Sequence, residues 1–279
     1  MGTVWDRATE FLSDNVAVIA PLALFAIFLP TSVQSNIAPI VENGNAASMI
    51  GLRIVGVLLS IVSLFGQLAI IALAIDPDRT TGVATRLARA RLVPVVVAAL
   101  LVLIAMLMLA VPVVAMLAAS GVDLAALAEA SASGQAPVMP PMSATTAWGI
   151  AGYGLVAAGL LLWGSARLSL LYPVILEERG SLRAFRRSFA LTRGLAWPII
   201  GVLLLYVVVS TVAALAAKTV FGSVLVLVAG RGGPLGVANV LTAIIVAAVS
   251  AGFSVLGAAF TAKLYVATRA VAGEAAGAA

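Results

Sequence analysis

Polar and charged side chains that lie inside long apolar runs are the residues of this sequence that could do chemistry. Arg167, Lys263 and Gln67 each lie in such a run. A charged side chain at the centre of a membrane costs about 3 kcal/mol or more unless it is paired, hydrated or able to reach the surface. We therefore predict that Arg167 and Lys263 bind a polar group, with Gln67 as a hydrogen-bonding partner of Lys263. Their convergence on one cavity is a hypothesis.

Arg53 and Lys218 also lie in apolar runs, but close to the predicted ends of their spans. A long basic side chain near the end of a membrane helix can extend its charge to the aqueous interface. Anchoring at the interface therefore explains Arg53 and Lys218 better than ligand binding does.

The chain contains no histidine and no cysteine. Their absence excludes disulfides, thiolate metal sites and the usual general base at neutral pH. Serine and threonine are scattered, so nothing in the sequence predicts a nucleophile beside a base. Acidic residues are missing from the centres of the apolar runs, which argues against proton-coupled transport. The sequence therefore predicts a protein that is not an enzyme and carries no cofactor and no metal.

The composition indicates a protein whose main solvent is lipid. Hydrophobic residues make up 63% of the chain and charged residues 10%, and the mean hydropathy is +1.17, whereas soluble domains are usually about 25% charged. A helix needs about 20 residues to cross the hydrocarbon core of a bilayer. Six apolar runs are that long: Asn15 to about Ile40, Met49 to Ile75, Leu92 to Ala119, Thr146 to Leu176, Leu195 to about Ala229, and Leu235 to about Thr268.

These runs predict an all-α integral membrane protein of about six transmembrane helices, arranged as three hairpins. The second, fourth and sixth runs contain Gln67, Arg167 and Lys263 in turn, which favours a repeated hairpin. Pro30 and the polar residues after it predict a kinked, irregular first run. The cluster 230–234 predicts a tight turn between the last two runs.

The predicted boundaries give an N-terminal interfacial segment at 1–14, a single six-span domain at 15–268 and a short tail at 269–279. Residues 76–94 and 177–194 form interfacial segments within that domain. Acidic residues precede the first run, and no clear cleavage site accompanies it. We therefore expect the first run to be retained as a span rather than removed as a signal peptide.

Arginines are concentrated in two of the short connections. Four lie between 76 and 94 and five between 177 and 194, whereas 120–145 contains no basic residue. Cytoplasmic loops retain arginine and lysine during insertion, so both arginine-rich segments and both termini are predicted to be cytoplasmic. The formal charge of +5 and the pI near 10.2 then indicate contact with anionic lipid headgroups rather than with nucleic acid.

The stretch 181–193 has the pattern of an amphipathic interfacial helix. Leu182, Phe185 and Phe189 recur at helical spacing, and the arginines lie largely on other sides of the helix. These arginines are Arg183, Arg186, Arg187 and Arg193. The apolar side can enter the acyl boundary while each guanidinium group contributes about 1 kcal/mol near anionic lipid. The alternative is that the arginines only set the topology and the helix only packs beneath the bundle.

Residues 167–198 read RLSLLYPVILEERGSLRAFRRSFALTRGLAWP. This segment resembles the membrane domain attached to some glycerophosphoryl diester phosphodiesterases, and related bacterial inner-membrane proteins. The matching residues are Arg167, Pro173, Glu177, Ala184, Ser188, Leu191, Thr192, Arg193, Gly194 and Trp197. The resemblance implies a helical, lipid-associated module in which Glu177 is a partner for Arg193, Arg187 or Arg167. It does not imply catalysis, because hydrolysis in that family belongs to a separate soluble barrel with histidines, which this sequence lacks.

These observations predict a non-enzymatic, multi-pass protein of the bacterial cytoplasmic membrane that binds, organises or translocates phospholipid or another amphiphile. The alternative is a scaffold or assembly factor that binds another membrane protein or a second copy of itself. The expected partners are anionic headgroups at the inner face, with no role for nucleic acid. The candidate binding residues are Arg167, Lys263, Gln67, Glu177, Arg183, Arg186, Arg187 and Arg193.

Overall fold

The computed structural model describes residues 2–43, 46–127, 143–178, 181–230, 232–233 and 235–277. Within these ranges the regular structure is helical, and no strand occurs. The helices are α1 (Gly2–Asp14), α2 (Val16–Ala23), the π-helix π1 (Leu24–Phe28), α3 (Leu29–Asn43), α4 (Ala46–Ile75), α5 (Thr81–Ala119), α6 (Ala144–Leu168), α7 (Leu171–Glu178), α8 (Ser181–Leu191), α9 (Ala196–Ala229) and α10 (Val237–Gly277).

In the described part of the chain, six stretches of helix are long and apolar enough to cross a membrane, which confirms the predicted all-α membrane fold. They are Val16–Ile37, Ile50–Ile75, Thr81–Ala119, Ala144–Glu178, Ala196–Ala229 and Val237–Gly273. The third begins at Thr81 rather than at Leu92 because α5 continues through the arginine-rich segment. Arginine is a good helix former, so the change from basic to apolar side chains does not end the helix.

The first span is irregular, as predicted, but its irregular turn precedes Pro30. Residues 24–28 form the π-helix π1, in which the backbone N–H of Leu29 donates to the carbonyl of Leu24, five residues back. Widened turns of this kind are inserted where an α-helix departs from its regular ladder. The polar residues that follow bond to their own helix; for example, the Thr31 hydroxyl donates to the Ile27 carbonyl at 2.7 Å.

The chain divides into two compact units. Unit 1 comprises Met1–Val96 and Ala166–Ala279, and unit 2 comprises Val97–Ser165. In unit 2 the Tyr153 hydroxyl donates to the Leu109 carbonyl at 2.7 Å, which joins α6 to α5. The candidate site lies in unit 1.

Unit 1 has its core at one end. Residues 68–74 of α4 are all buried, as are most of α7 and most of residues 258–265 of α10. Helix α1 packs on α10, where the rings of Trp5 and Phe260 lie 5.9 Å apart. We call this part of unit 1 the arginine-rich end, because the α4–α5 connection and α8 meet there.

The α9–α10 hairpin extends from this core. The turn predicted at 230–234 includes Arg231 and Pro234, which lie outside the described residues; around them α9 ends at Ala229, Gly230 has a φ of +78°, and α10 begins at Val237. The Tyr206 hydroxyl of α9 donates to the Phe253 carbonyl of α10 at 2.8 Å. With 34 residues, α9 is longer than a membrane span needs.

Candidate functional site

The α4–α5 connection is joined to α7 by an ion pair that the sequence did not predict. Arg79 contacts Glu177 with both terminal nitrogens, at 2.7 and 3.3 Å, and its Nε lies 3.1 Å from Asp76 Oδ2. The hydrogen bond to Glu177 raises the pKa of Arg79 above its ordinary value. Because a cation is charged below its pKa, Arg79 stays charged throughout the physiological pH range.

The neighbouring carboxylate, Glu178, joins two further helices. Arg187 of α8 places its Nε 3.1 Å from Glu178 Oε2, and the hydroxyl of Tyr265 of α10 donates to Glu178 Oε1 at 3.2 Å. The Tyr265 side chain is fully buried. Two consecutive acidic residues therefore hold the α4–α5 connection, α7, α8 and α10 together.

The expected partners of Glu177 were Arg193, Arg187 or Arg167, and this expectation was wrong. Glu177 pairs with Arg79, and Arg187 pairs with the next residue, Glu178. Successive side chains on a helix point about 100° apart, so one carboxylate of α7 faces the α4–α5 connection while the other faces α8.

Arg167, at the end of α6, is tied to α8 by two backbone-directed hydrogen bonds. Its Nη1 donates to the Phe189 carbonyl at 3.1 Å, and the hydroxyl of Ser188 donates to the Arg167 carbonyl at 2.6 Å. Ser188 is fully buried. These bonds explain the position of Ser188 on the inner side of α8 and fix where the Arg167 guanidinium group lies.

An open cavity of about 580 Å³ lies beside these contacts, and we call it the arginine pocket. It is lined by Arg167, Phe185, Arg186, Phe189, Ala190 and Arg193. The described residues of the lining supply three guanidinium groups and two phenyl rings and no carboxylate. The structure thus brings together three of the predicted arginines, with the apolar groups that an amphiphile would contact.

The side of α8 that packs within unit 1 carries Ala184, Ser188 and Leu191, with Thr192 just beyond the helix. The predicted apolar side, with Leu182, Phe185 and Phe189, was expected to contact lipid, and that expectation stays a prediction. Ser188 lies where its hydroxyl reaches the Arg167 carbonyl, and short side chains such as those of Ala184 and Ser188 leave room for close packing. Phe185 and Phe189 are half-buried and face the arginine pocket. The Leu182 side chain lies outside the described residues.

Lys263 and Gln67 do not join the arginine pocket. The Lys263 ammonium group lies 4.8 Å above the ring of Phe11 of α1, and Gln67 is half-buried in the packed half of α4. Among the residues that the structure describes, no hydrogen bond or ion pair connects Arg167, Lys263 and Gln67 with one another. The hypothesis that they converge is not supported. Arg183 is exposed and does not line the pocket.

A second cavity in unit 1 is an apolar groove of about 410 Å³ between the first span and α10. Its walls include Ile19, Leu24 and Phe28 on one side and Ala251 and Val255 on the other. All its lining side chains are apolar. The groove was not predicted from the sequence, because its shape depends on π1 and no residue pattern predicts a π-helix there.

The chain matches the domain of unknown function DUF7847 over residues 3–268, which is almost its whole length. No curated protein matches the chain, and no solved structure matches it either.

Proposed function

We propose that this chain, which belongs to the family of the DUF7847 domain, binds an anionic phospholipid or a similar amphiphile in the arginine pocket. We place the pocket at the inner face of a bacterial cytoplasmic membrane, with both termini inside. The one-sided distribution of arginine between the connections supports this orientation.

The observation that carries the proposal is the composition of the pocket wall. Arg167, Arg186 and Arg193 surround a recess that also contains Phe185 and Phe189. Guanidinium groups are weakly hydrated and bind phosphate oxygens in a bidentate manner, and phenyl rings accommodate alkyl groups. A lipid headgroup attached to acyl chains presents both chemistries together.

Two further features support lipid binding. The apolar groove between the first span and α10 offers a surface for an acyl chain, and each methylene group buried contributes about 0.8 kcal/mol. The resemblance of 167–198 to a lipid-associated membrane domain agrees with this role. The proposal includes no catalysis, because guanidinium and phenyl groups serve neither as nucleophile nor as general base.

The test removes two pocket arginines and compares them with two other exposed arginines. In the purified full chain, R186Q/R193Q should weaken binding of phosphatidylglycerol about 30-fold, because each arginine contributes about 1 kcal/mol. R86Q/R89Q removes the same charge from the exposed surface of α5 and should change binding by less than about threefold. Native mass spectrometry of the lipid-bound protein measures both.

Equal losses in the two double variants would mean that the arginines act only through overall charge, and the pocket assignment would fail. Phosphatidylcholine, which carries no net charge, is the matched lipid control and should bind the wild-type chain and both variants equally.

The second candidate function is a membrane scaffold, favoured by the surface of α9. This helix packs mainly against α10, and Ile199 and Ala217 are its buried residues among those described. An exposed apolar helix can contact another span as well as lipid. A defined multimer in lipid nanodiscs that persists in R186Q/R193Q would favour the scaffold, whereas a monomer would count against self-association.

A further inference from the structure

We infer that the arginine pocket selects a phosphate headgroup carrying two negative charges over a headgroup carrying one. The dianion can be a phosphomonoester or a pair of linked phosphodiesters. This inference rests on the proposed function and specifies the class of ligand.

The first step is the charge of the pocket wall. Among the described residues, three guanidinium groups and no carboxylate line the pocket. Arg186 and Arg193 form no ion pair with any residue that the structure describes. The wall therefore carries a formal charge of about +3, because arginine stays protonated at any physiological pH.

The second step is that the nearest acidic residues are engaged elsewhere. Glu177 is held by Arg79 through two contacts. Glu178 is held by Arg187 and by the Tyr265 hydroxyl. These pairs engage Arg187 and both carboxylates, so within the described part of the chain neither Glu177 nor Glu178 forms an ion pair with Arg186 or Arg193.

The third step is the placement of the arginines around the recess. Arg186, Phe189 and Arg193 follow the i, i+3, i+7 spacing of one helical face, and the backbone turn continues beyond α8 because the Arg193 N–H donates to the Ala190 carbonyl at 3.2 Å. Arg186 and Arg193 thus both reach the recess, with Arg167 entering from α6.

A monoanionic phosphodiester would balance one of these three charges. A phosphomonoester carries about −1.5 to −2 at pH 7, and two linked phosphodiesters carry −2 spread over a greater length. Either group gives a closer match to a wall of three cations, and the open recess of about 580 Å³ has room for it. Each additional basic contact near a lipid surface contributes about 1 kcal/mol, which is about a fivefold change in affinity.

The experiment titrates the purified full chain in phosphatidylcholine nanodiscs with three lipids of matched acyl chains. Phosphatidic acid supplies a phosphomonoester, cardiolipin supplies two phosphodiesters, and phosphatidylglycerol supplies one. At pH 7.5 we expect at least one of the two dianionic lipids to bind about fivefold or more tightly than phosphatidylglycerol. In R186Q/R193Q this preference should disappear.

The pH dependence separates the two dianions. The second pKa of a phosphomonoester is about 6, so binding of phosphatidic acid should weaken between pH 7.5 and pH 5.5, whereas binding of cardiolipin should not change. A preference of either kind that depends on the pocket arginines supports the inference.

Equal affinity for all three lipids would overturn the inference and leave the proposed function intact, provided that R186Q/R193Q still weakens them all. Lipid binding that is insensitive to R186Q/R193Q would overturn both. Inorganic phosphate that displaces the lipid at equal concentration would identify a soluble dianion as the ligand, and the lipid assignment would then be wrong.

Discussion

The two halves of α4 have similar apolar sequences and opposite surroundings. In the first half, Ile54 and Leu58 are each 57% exposed, whereas Leu68 and Ile70 in the second half are completely buried. A bilayer is as apolar as a leucine side chain, so hydropathy cannot distinguish a helix surface that contacts lipid from one that contacts protein. The neighbours of each half decide its role.

The second half is buried where π1 packs on it. The π-helix π1 approaches so closely that a Cβ atom added to Gly66 would lie 2.6 Å from the Cβ atom of Ala26. Helices α7 and α10 also pack on α4, and the helix leads into the connection that carries Arg79. In the first half, a Cβ atom added to Gly51 or to Gly56 would meet no described atom within 4 Å.

The largest expected difference comes from truncating the same residue type in the two halves. Leu68→Ala should lower the free energy of unfolding by about 2–5 kcal/mol, because it leaves a cavity in a packed core. At Leu58 the space left by the shorter side chain is open to lipid, which fills it. Leu58→Ala should therefore lower the free energy of unfolding by less than about 1 kcal/mol. Denaturant titration in mixed micelles measures both. Equal losses would show that the two halves are not different environments.

The ion pair at the end of the buried half gives the next largest effect. The side chains of Arg79 and Glu177 are 20% and 18% exposed, between the limits of a surface pair and a buried one. Glu177→Gln should therefore lower the free energy of unfolding by about 1–3 kcal/mol.

The matched control for the ion pair is Asp78→Asn, in the same connection and exposed. This change should alter stability by less than about 0.5 kcal/mol. If both substitutions cost the same, Arg79 and Glu177 form a surface contact of no structural weight. A double-mutant cycle with Arg79→Gln isolates the energy of the pair.

Adding a methyl group has the smallest expected effect on the free energy of unfolding. The sign of this effect differs between the two halves of α4. Gly66→Ala must displace the backbone of π1, since Ala26 O would also lie 3.1 Å from the new atom. The cost of overpacking is about 1–3 kcal/mol, reduced by the gain of about 1 kcal/mol in helix propensity. Gly56→Ala meets no atom within 4 Å and should be neutral or stabilising. Destabilisation by both would contradict the close contact at Gly66.

The fold was largely predictable from the sequence. The length of the apolar runs alone predicts the six spans, and the glycines of 230–234 predict the last turn. The start of α5 was misplaced because arginine favours helix as much as leucine does, so a change of polarity does not end a helix. The position of π1 was not predictable, because a π-helix depends on the contact that Ala26 and Ile27 make with α4.

The candidate site was predictable in part. Arg167, Arg186 and Arg193 stood out by their types and spacing, and the structure brings them to one pocket. The partners of Glu177 and Glu178 could not be predicted from the sequence. Arg79 and Tyr265 are distant from them in sequence, and tertiary packing brings them together. Lys263 lies over the ring of Phe11, a contact that a lysine in an apolar run can make and that the sequence did not predict; its role in binding stays a prediction.

The length of α9 ties the protein to the thickness of its membrane. Its 34 residues extend about 51 Å, whereas the hydrocarbon core of a typical bilayer is about 30 Å thick. The exposed Trp197 and Lys218 lie 21 residue steps apart, or about 32 Å, which matches that core, and apolar residues continue from Thr219 to Ala229. An apolar helix longer than the hydrocarbon core is accommodated by tilting or by local thickening of the bilayer. We therefore expect bilayer thickness to affect this chain independently of headgroup charge.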